Sequence, residues 1–411
     1  MRVLEKTIWI INQYASHLTE RHRNLAENFA RRGCRTVVFT SSYHHGSHTY
    51  LFDEAVHIEE PSDGVVYVYL HAGPEYGSNG GKRMLNMLDF CRRFRAVFPE
   101  VAETYGVPDF VIGSSAPPFM WELAHTAAKR FGAKMAAEFR DIWPLSLVEV
   151  QGVSPSHPLV RFFGAMEKRA YQRADAIVGT MPHADRHVCD ELGFPREKFH
   201  WMPNGLNLEK ADRALTDPEN ALPPELDAFL REHRCAIYVG SIVKSESVDY
   251  IIESFRRVQD ETLSLAVVGD GNLVPMVEER IRADGSGRIR HFPAIKKEQI
   301  PLALQRAVCC LAAVPDYPIY RFGLSMNKLS DYLYSGTPVV FACDAENIVS
   351  EAGGFVVPFG NEDDMAHAIE SAAALPPERR AELAASGRAI IRRDYDYRVI
   401  ADRYLDMLEG L

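Results

Sequence analysis

The chain has 411 residues, more than one hydrophobic core usually organises, so two domains are expected. Its apolar fraction of 46% is ordinary for a globular protein, and its net charge of −10 excludes a surface that attracts nucleic acid as a whole. Seven cysteines without CxxC or zinc-type spacing predict reduced, buried thiols in a cytoplasmic protein. No apolar run approaches the roughly 20 residues that a membrane-spanning helix needs.

Short apolar runs alternate with amphipathic stretches through the first half of the chain. The predicted strands are 7–12, 36–41, 65–70, 109–114, 134–139 and 175–180, and the predicted helices include 17–32, 82–98, 118–131 and 158–173. Strands that are apolar almost throughout are typical of a parallel sheet covered on both faces. This order predicts a doubly wound α/β domain.

The segment 207–234 interrupts this alternation. It is rich in Pro, Asp, Glu and Leu, and it is predicted to be a linker with one short helix. Alternation then resumes, with predicted strands at 235–241, 263–271, 289–294, 307–314, 337–342 and 353–359. The chain ends in a stretch of helical spacing at 395–411. We therefore expect two α/β domains, 1–205 and 206–394, facing a cleft into which the strand carboxyl ends point.

Glycine-containing loops follow two predicted strands of the second domain. They hold Gly240 and Ser241 after the first strand, and Gly269, Asp270 and Gly271 after the second. Glycine lets a ligand approach the backbone, and free N–H groups at a helix start favour an anion. Each loop alone is equally typical of close packing, whereas several at one sheet edge favour a phosphate site.

The stretch 322–340, FGLSMNKLSDYLYSGTPVV, carries the strongest signal. It predicts a turn at Gly323, a helix start within 325–327, and a buried strand after "SGTP". Lys328 in the first turn opposes the helix dipole, a cost that a bound phosphate would reverse. Asp331, one turn deeper, is suited to accept hydrogen bonds from the two hydroxyls of a ribose. The alternative is a surface ion pair between Lys328 and Asp331 on a helix capped by Ser325.

Polar residues also follow strands of the first domain. They are His17 after the first strand, Ser114 and Ser115 in "GSSAPPF", and Arg140 and Asp141 in "EFRDIWP". A loop at this position can face a substrate, but an ion pair beside a packed Trp, or a capping His, explains the same residues. The histidines at 44, 45 and 48 are predicted to form a solvated cluster. Neither metal-ligand spacing nor a Ser/His/Asp order is apparent, so no metal is expected.

The stretch 76–98 is basic and amphipathic. Lys82, Arg83 and three further arginines interleave with apolar residues, a pattern that suits an anionic membrane surface or a lipid-linked diphosphate. An ordinary core-facing helix with a basic solvent face has the same pattern. The acidity of the remaining chain favours the membrane interpretation.

These motifs together resemble a known family. The order "PNG" (203–205), "YVGS" (238–241), "VVGDG" (267–271) and 322–340 resembles the GT-B retaining glycosyltransferases of the glycogen-synthase-like family 4 over nearly the whole chain. "NQYA", "SNGGKRMLNMLDF", "FRDIWP", "EKRAYQRADAIVGTMP" and "NKLSDYL" resemble more narrowly the bacterial branch that builds O-antigen and capsule, including N-acetylfucosamine-type transferases.

The resemblance implies two Rossmann-like domains, with a UDP-sugar donor in the second and a polyprenyl-diphosphate-linked or saccharide acceptor over the first. It also implies no metal or other cofactor and a last helix that returns to the first domain. We expect the protein in the cytoplasm, with the cytoplasmic face of the inner membrane as the alternative location. The family carries two Glu eight positions apart in the 322–340 stretch. Counting back from Gly336, the second falls on Asp331 and the first on Gly323.

The missing acid leaves the donor sugar to the backbone of the segment before the predicted helix. Candidate donor ligands there are Gly323, Leu324, Ser325 and Asn327. The family's Arg and Lys fall on Ser241 and Glu246; Lys244 lies close by, and Lys328 is the better candidate to neutralise the diphosphate. Asp141 or His17 would orient the acceptor hydroxyl, with Arg140, Ser114, Ser115, Lys82 and Arg83 as acceptor contacts.

Two other functions fit the same architecture. The first is a non-hydrolysing UDP-N-acetylhexosamine 2-epimerase, which would turn over the donor without any acceptor. The second is a catalytically silent nucleotide-sugar-binding partner, suggested by the missing Glu at Gly323.

Overall fold

A computed structural model describes residues 5–78 and 80–411; residues 1–4 and Asn79, which belongs to the basic stretch and to one of the quoted motifs, lie outside it. The chain forms two compact units, Met1–Asn204 with Tyr397–Leu411, and Gly205–Asp396. In the described part, no helix has the length and hydropathy needed to cross a membrane.

The first unit is built mainly from strands that alternate with helices. Its strands are β1 (Thr7–Ile11), β2 (Arg35–Ser41), β3 (Tyr43–His44), β4 (Thr49–Tyr50), β5 (Val56–Ser62), β6 (Val65–Leu70), β7 (Phe110–Ser114), β8 (Lys134–Phe139), β9 (Ala176–Gly179) and β10 (Phe199–Trp201). Its helices are α1 (Glu20–Arg31), α2 (Gly81–Tyr105), α3 (Phe119–Phe131), α4 (Trp143–Leu145) and α5 (Pro158–Arg173).

The second unit repeats the alternation. Its helices are α6 (Leu208–Thr216), α7 (Pro224–Glu232), α8 (Val248–Arg256), α9 (Val274–Asp284), α10 (Ile300–Gln305), α11 (Asn327–Ser335), α12 (Ile348–Glu351), α13 (Glu362–Ala373) and α14 (Pro377–Ile390). Its strands are β11 (Arg234–Val239), β12 (Leu263–Val268), β13 (Ile289–Phe292), β14 (Cys309–Ala313), β15 (Val339–Ala342) and β16 (Phe355–Val357). The last helix, α15 (Tyr397–Glu409), belongs to the first unit.

Each unit has one large, mostly parallel sheet. The first has the order β10-β9-β8-β7-β1-β2-β6-β5, in which only the edge pair β5–β6 is antiparallel. The second has the order β13-β12-β11-β14-β15-β16 and is parallel throughout. The direction in which successive strands are added reverses between β1 and β7 in the first sheet and between β11 and β14 in the second. Ligands of such sheets bind at these points, beyond the carboxyl ends of the strands. The predicted doubly wound α/β architecture is confirmed.

The core of the first unit extends onto the last helix. Apolar side chains of β1 and α1 share one buried cluster with α15, and the rings of Phe29 and Tyr404 meet edge to face, 5.9 Å apart. An edge-to-face pair of this kind adds to the apolar burial that fixes α15 on α1.

Several sequence predictions differ from the structure. The 207–234 segment holds two helices rather than one, because Asn207 caps α6 through the N–H of Lys210 and Pro224 fits the first turn of α7. The predicted helix 82–98 begins at Gly81 and continues through Pro99 to Tyr105. The edge strand β5 was not predicted, because its residues are mostly exposed and polar and include a proline.

Candidate donor-binding and acceptor-binding sites

The helix that carries Lys328 and Asp331 begins at Asn327. The N-cap position is occupied by Met326 rather than by Ser325, and a methionine offers no oxygen to the first N–H groups. Gly323, before the helix, has φ +83, in the left-handed region that glycine adopts without strain. The Ser325-capped alternative is therefore wrong, and the N–H groups of the first turn lack the usual side-chain acceptor at the cap.

The ammonium of Lys328, on α11, lies at the end of β11, where a carboxylate compensates its charge. Its side chain is only 10% exposed, and its Nζ forms an ion pair with the Glu246 carboxylate. Nζ also donates to the Tyr238 hydroxyl at 2.8 Å and lies 4.3 Å from the centre of that ring. Burial lowers the pKa of Lys328, and Glu246 opposes the shift. The predicted surface pair with Asp331 is wrong, because Lys328 turns toward Glu246.

Asp331 has a different cation. Its side chain is 8% exposed, and Oδ2 accepts from Lys297 Nζ at 2.6 Å. Lys297 comes from a single 3₁₀ turn, Lys297–Gln299, just before α10. Sequence reasoning identified neither Lys297 nor Tyr238 as a partner, and it noted Glu246 only as the position where the resembled family has a Lys.

The glycines of the two strand-end loops allow the loops to pack together. Gly240 N–H donates to Val268 O at 3.0 Å, and Ile242 N–H donates to Asp270 O at 2.8 Å. A Cβ at 269 would overlap the carbonyl oxygen of Gly240. A Cβ on Gly240 itself would lie 2.6 Å from Lys328 Nζ. These glycines thus bring the two loops and the Lys328 ammonium together. Their contact with a donor stays a prediction. The donor contacts of Ser241, Lys244 and Asp270, which are exposed, also stay predictions.

Glu138 is the centre of a buried network in the first unit. Its carboxylate is fully buried and accepts from Arg21 at 2.7 Å, Ser114 at 2.6 Å and Tyr404 at 2.8 Å. His22 Nε2 lies 3.3 Å from the same carboxylate. Burial raises the pKa of Glu138, but Arg21 and His22 outweigh burial and hold it well below its ordinary value. The single acid in the apolar run "KMAAEF" was the sequence signal for this network, and it was missed.

The network changes the interpretation of the predicted acceptor serines. Ser114 and Ser115 are fully buried, and Ser114 Oγ donates to Glu138. A side chain enclosed in this way is not presented to an acceptor, so the structure gives Ser114 a structural role. Asp141 is accessible to solvent and Arg140 is half-buried.

His17 is held by its neighbours after β1. Its Nδ1 lies 2.7 Å from the Tyr69 hydroxyl and 3.5 Å from Glu59 Oε2. Its backbone N–H also donates to the Tyr69 hydroxyl, at 3.1 Å. These contacts fix the orientation of a half-exposed ring at the carboxyl end of β1.

An aromatic cluster near this strand end was also missed. His45 stacks on Tyr14 with ring centres 5.0 Å apart, and its Nδ1 lies 3.1 Å from the Tyr76 hydroxyl. Arg83 Nε donates to the Tyr14 hydroxyl at 3.2 Å. Burial lowers the pKa of His45 to about 4, helped by Arg83. The prediction of a solvated cluster is thus wrong for His45, which packs among aromatic rings.

The basic helix α2 exposes both apolar and charged side chains. Leu85 is 56% exposed and Leu88 is 47% exposed, and Lys82 is also exposed. Arg92 and Arg93 both form ion pairs with Asp89, at 2.8 and 2.7 Å. The helix therefore displays leucines to solvent, while Asp89 neutralises part of its basic charge.

Within residues 5–78 and 80–411, no group of three or more His, Cys, Asp or Glu is placed to hold a metal ion. Metal-independent chemistry stays a prediction.

Two domain families match the chain. Residues 18–205 match the glycosyl transferase 4-like domain, and residues 233–374 match the glycosyl transferases group 1 domain. Together these two matches cover most of the chain.

Individual relatives are distant. "Putative colanic acid biosynthesis glycosyl transferase WcaI" of Escherichia coli (strain K12) is 23% identical over 232 residues, 56% of each chain, so this chain spans about half the length of that curated relative. Anabaena Alr3699/HepE in complex with UDP and glucose aligns with TM-score 0.67 and 13% identity over 99% of this chain and all of its own. A UDP-forming trehalose-phosphate synthase from Burkholderia xenovorans aligns with TM-score 0.70 and 14% identity over 99% of both chains. These likenesses establish the GT-B fold.

Proposed function

We propose that the protein is a retaining, metal-independent glycosyltransferase of bacterial surface polysaccharide synthesis. It would move an N-acetylated hexosamine or deoxyamino sugar, of the N-acetylfucosamine kind, from a UDP-sugar. Its acceptor would be a polyprenyl-diphosphate-linked or free saccharide. The protein would bind it in the cytoplasm or at the cytoplasmic face of the inner membrane. The glycosyltransferase domains, the colanic acid relative and the UDP-bound structural neighbours support this assignment.

One observation carries the proposal: the buried ammonium of Lys328 at the start of α11. Nζ lies between Tyr238 and Glu246, next to the backbone of Gly240. An ammonium carried by the first turn of a helix adds its charge to the dipole of that helix start, and both favour a diphosphate. Asp331, one turn deeper, would take the ribose hydroxyls and share its carboxylate with Lys297.

The chemistry follows from this electrostatic arrangement. When the bond from the anomeric carbon to the diphosphate breaks, its electron pair leaves with UDP, and Lys328 and the helix N–H groups stabilise the charge that develops. The acceptor oxygen attacks the same face of the anomeric carbon, and its proton passes to the departing diphosphate. The backbone of 323–325 would hold the donor sugar where the family's first Glu is absent.

The first unit would supply the acceptor contacts. Asp141 and His17 would orient the acceptor hydroxyl, and Arg140 and Arg83 would meet the charged part of a lipid-linked acceptor. The exposed Leu85 and Leu88 on α2 support a contact with the membrane surface.

The test replaces Lys328 by Met, which keeps the length of the side chain but removes the charge. Donors are first chosen by thermal shift with UDP-, GDP- and dTDP-sugars, because a ligand that binds only the folded state raises the melting temperature. Lys328→Met should then weaken UDP binding by roughly tenfold or more and lower turnover by about 10²-fold. The exposed Lys129→Met is the matched control.

Three results would contradict the proposal. Turnover by Lys328→Met within about threefold of the wild type would remove Lys328 from the diphosphate site. Turnover of the donor without acceptor, with inversion at C2, would identify the epimerase instead. Tight UDP binding with no transfer to any lipid-linked or saccharide acceptor would identify a silent binding partner.

A further inference from the structure

The second unit contains a cavity of about 530 Å³ that the donor assignment does not use. It is formed by the start of α8, by α9, and by the segments that follow β14 and β16. Of the predicted donor ligands, only Lys244 lines it. Its volume lies within the roughly 300–1,000 Å³ of small-molecule pockets. Its loops follow β11, β14 and β16, so it opens at the carboxyl edge of the sheet, where ligands bind in this architecture.

The cavity lies on the α8 side of the sheet. Alternate residues of β11, β12 and β14 share a buried cluster with α8 and α13, to which α11 contributes no side chain in the described part of the chain. The helix of Lys328 packs instead with α10 and α14. The cavity therefore lies on the opposite side of the sheet from the body of α11, although Lys328 Nζ reaches Glu246, which lies between the lining residues Lys244 and Ser247.

Aromatic rings form one wall of the cavity. Tyr250 and Phe359 pack with ring centres 4.6 Å apart at 32°. The Tyr250 hydroxyl donates to Asn361 O at 2.8 Å, which fixes its ring. Tyr317, half-buried in the segment after β14, adds a third ring. Rings held in this way present rigid apolar faces, on which the C–H face of a sugar ring can pack.

The charges of the cavity argue against a phosphate ligand. Its lining carries two cations, Lys244 and Arg280, and three carboxylates, a formal charge of −1. Glu253 pairs with Arg280 at 2.6 Å, and the lining has one carboxylate more than it has cations. The other two carboxylates, Asp249 and Glu362, lie in the first turns of α8 and α13, and they are 3.8 Å from Arg280 and 3.4 Å from Arg257, respectively. Carboxylates accept hydrogen bonds from hydroxyl groups and repel phosphates.

From the rigid rings, the acceptor-rich lining and the absence of net positive charge, we infer that this cavity binds a neutral saccharide. Its occupant would be a sugar unit of the acceptor or of the growing chain, held on the donor-binding unit. The identity of that occupant rests on the proposed function; the binding of a neutral saccharide does not.

The experiment measures saccharide binding by the full chain without any donor. A panel of neutral oligosaccharides of glucose, galactose, fucose and N-acetylhexosamine is screened by saturation-transfer NMR, and the best ligand is titrated by calorimetry. Tyr317→Ala and Glu362→Gln should each weaken its binding at least tenfold. The controls Tyr105→Ala and Glu261→Gln, outside the cavity, should bind as the wild type does.

Two outcomes would overturn the inference: no panel member binds, or the cavity variants bind like the wild type. The thermal shift produced by UDP should stay unchanged in Tyr317→Ala and Glu362→Gln, which shows that the fold and donor site are intact. If UDP-sugar transfer fails while saccharide binding depends on Tyr317, the proposed function fails and this inference stands. If UDP-sugar transfer proceeds but Tyr317→Ala binds the saccharide as tightly as the wild type does, only this inference fails.

Discussion

Replacing Glu138 by Gln tests how much the buried network stabilises the first unit. The substitution keeps the shape of the side chain but removes a fully buried negative charge that lies 2.7 Å from Arg21 Nη2. Removing one partner of a buried ion pair costs about 3–5 kcal/mol, because the other charge stays buried and uncompensated. Arg21 keeps its bonds to Met202 O and Pro203 O, at 3.0 and 2.7 Å. We therefore expect a loss near the lower limit, about 3 kcal/mol.

Tryptophan fluorescence measures this loss in the first unit alone. The four tryptophans, at 9, 121, 143 and 201, all belong to that unit. Trp121 Nε1–H donates to the Glu138 carbonyl at 2.8 Å, so it lies beside the change. With a urea m-value of about 2–3 kcal/mol/M, the midpoint should fall by about 1–1.5 M. The exposed Glu103→Gln should shift it little.

The pH dependence gives an independent check. The pKa of Glu138 is held well below its ordinary value in the folded protein, so its stabilisation is complete above the unfolded pKa of about 4.3. That contribution is lost as the pH falls toward the folded pKa, so the gap between wild type and Glu138→Gln should narrow only below about pH 4.

A double-mutant cycle isolates the ion pair. Arg21→Gln combined with Glu138→Gln should cost less than the sum of the single changes. A midpoint change below about 0.3 M for Glu138→Gln, or additive losses in the cycle, would refute the reasoning.

Three further changes test the two sites and the fold. Gly240→Ala would place a methyl group 2.6 Å from Lys328 Nζ and should weaken UDP binding about tenfold with little loss of melting temperature; unchanged UDP affinity in calorimetry would refute it. Glu246→Gln removes the carboxylate that competes with a diphosphate for Lys328, so UDP should bind severalfold tighter, and weaker binding would show that Glu246 assists the donor. Burial lowers the pKa of His187, but Glu167, 3.1 Å away, helps to raise it overall. The stabilisation by the charged His187 is therefore complete below about pH 6.5 and is lost as the pH rises through the folded pKa. The difference in unfolding free energy between wild type and His187→Gln, followed by fluorescence, should shrink from about pH 6 to about pH 9. A constant difference would contradict the ion pair with Glu167.

Sequence patterns located the sheets because the signals are local. The run "TIWII" is β1 and "VVYVYL" is β6, since strands covered on both faces must be apolar throughout. The same logic failed for β5, whose mostly exposed residues carry little apolar pattern. It also predicted a linker with one short helix where α6 and α7 lie, because nine-residue helices show few periodic repeats.

The sequence by itself determined the α/β alternation, the glycine loops and the placing of Lys328 and Asp331 on one helix, because these follow from local periodicity and turn chemistry. Only the tertiary structure decided the partners of those charges. Lys328 meets Glu246, Asp331 meets Lys297, and Glu138 meets groups from α1, β7 and α15. Strand order brings such residues together over long chain separations, and a buried charge must take whichever partner that order places beside it.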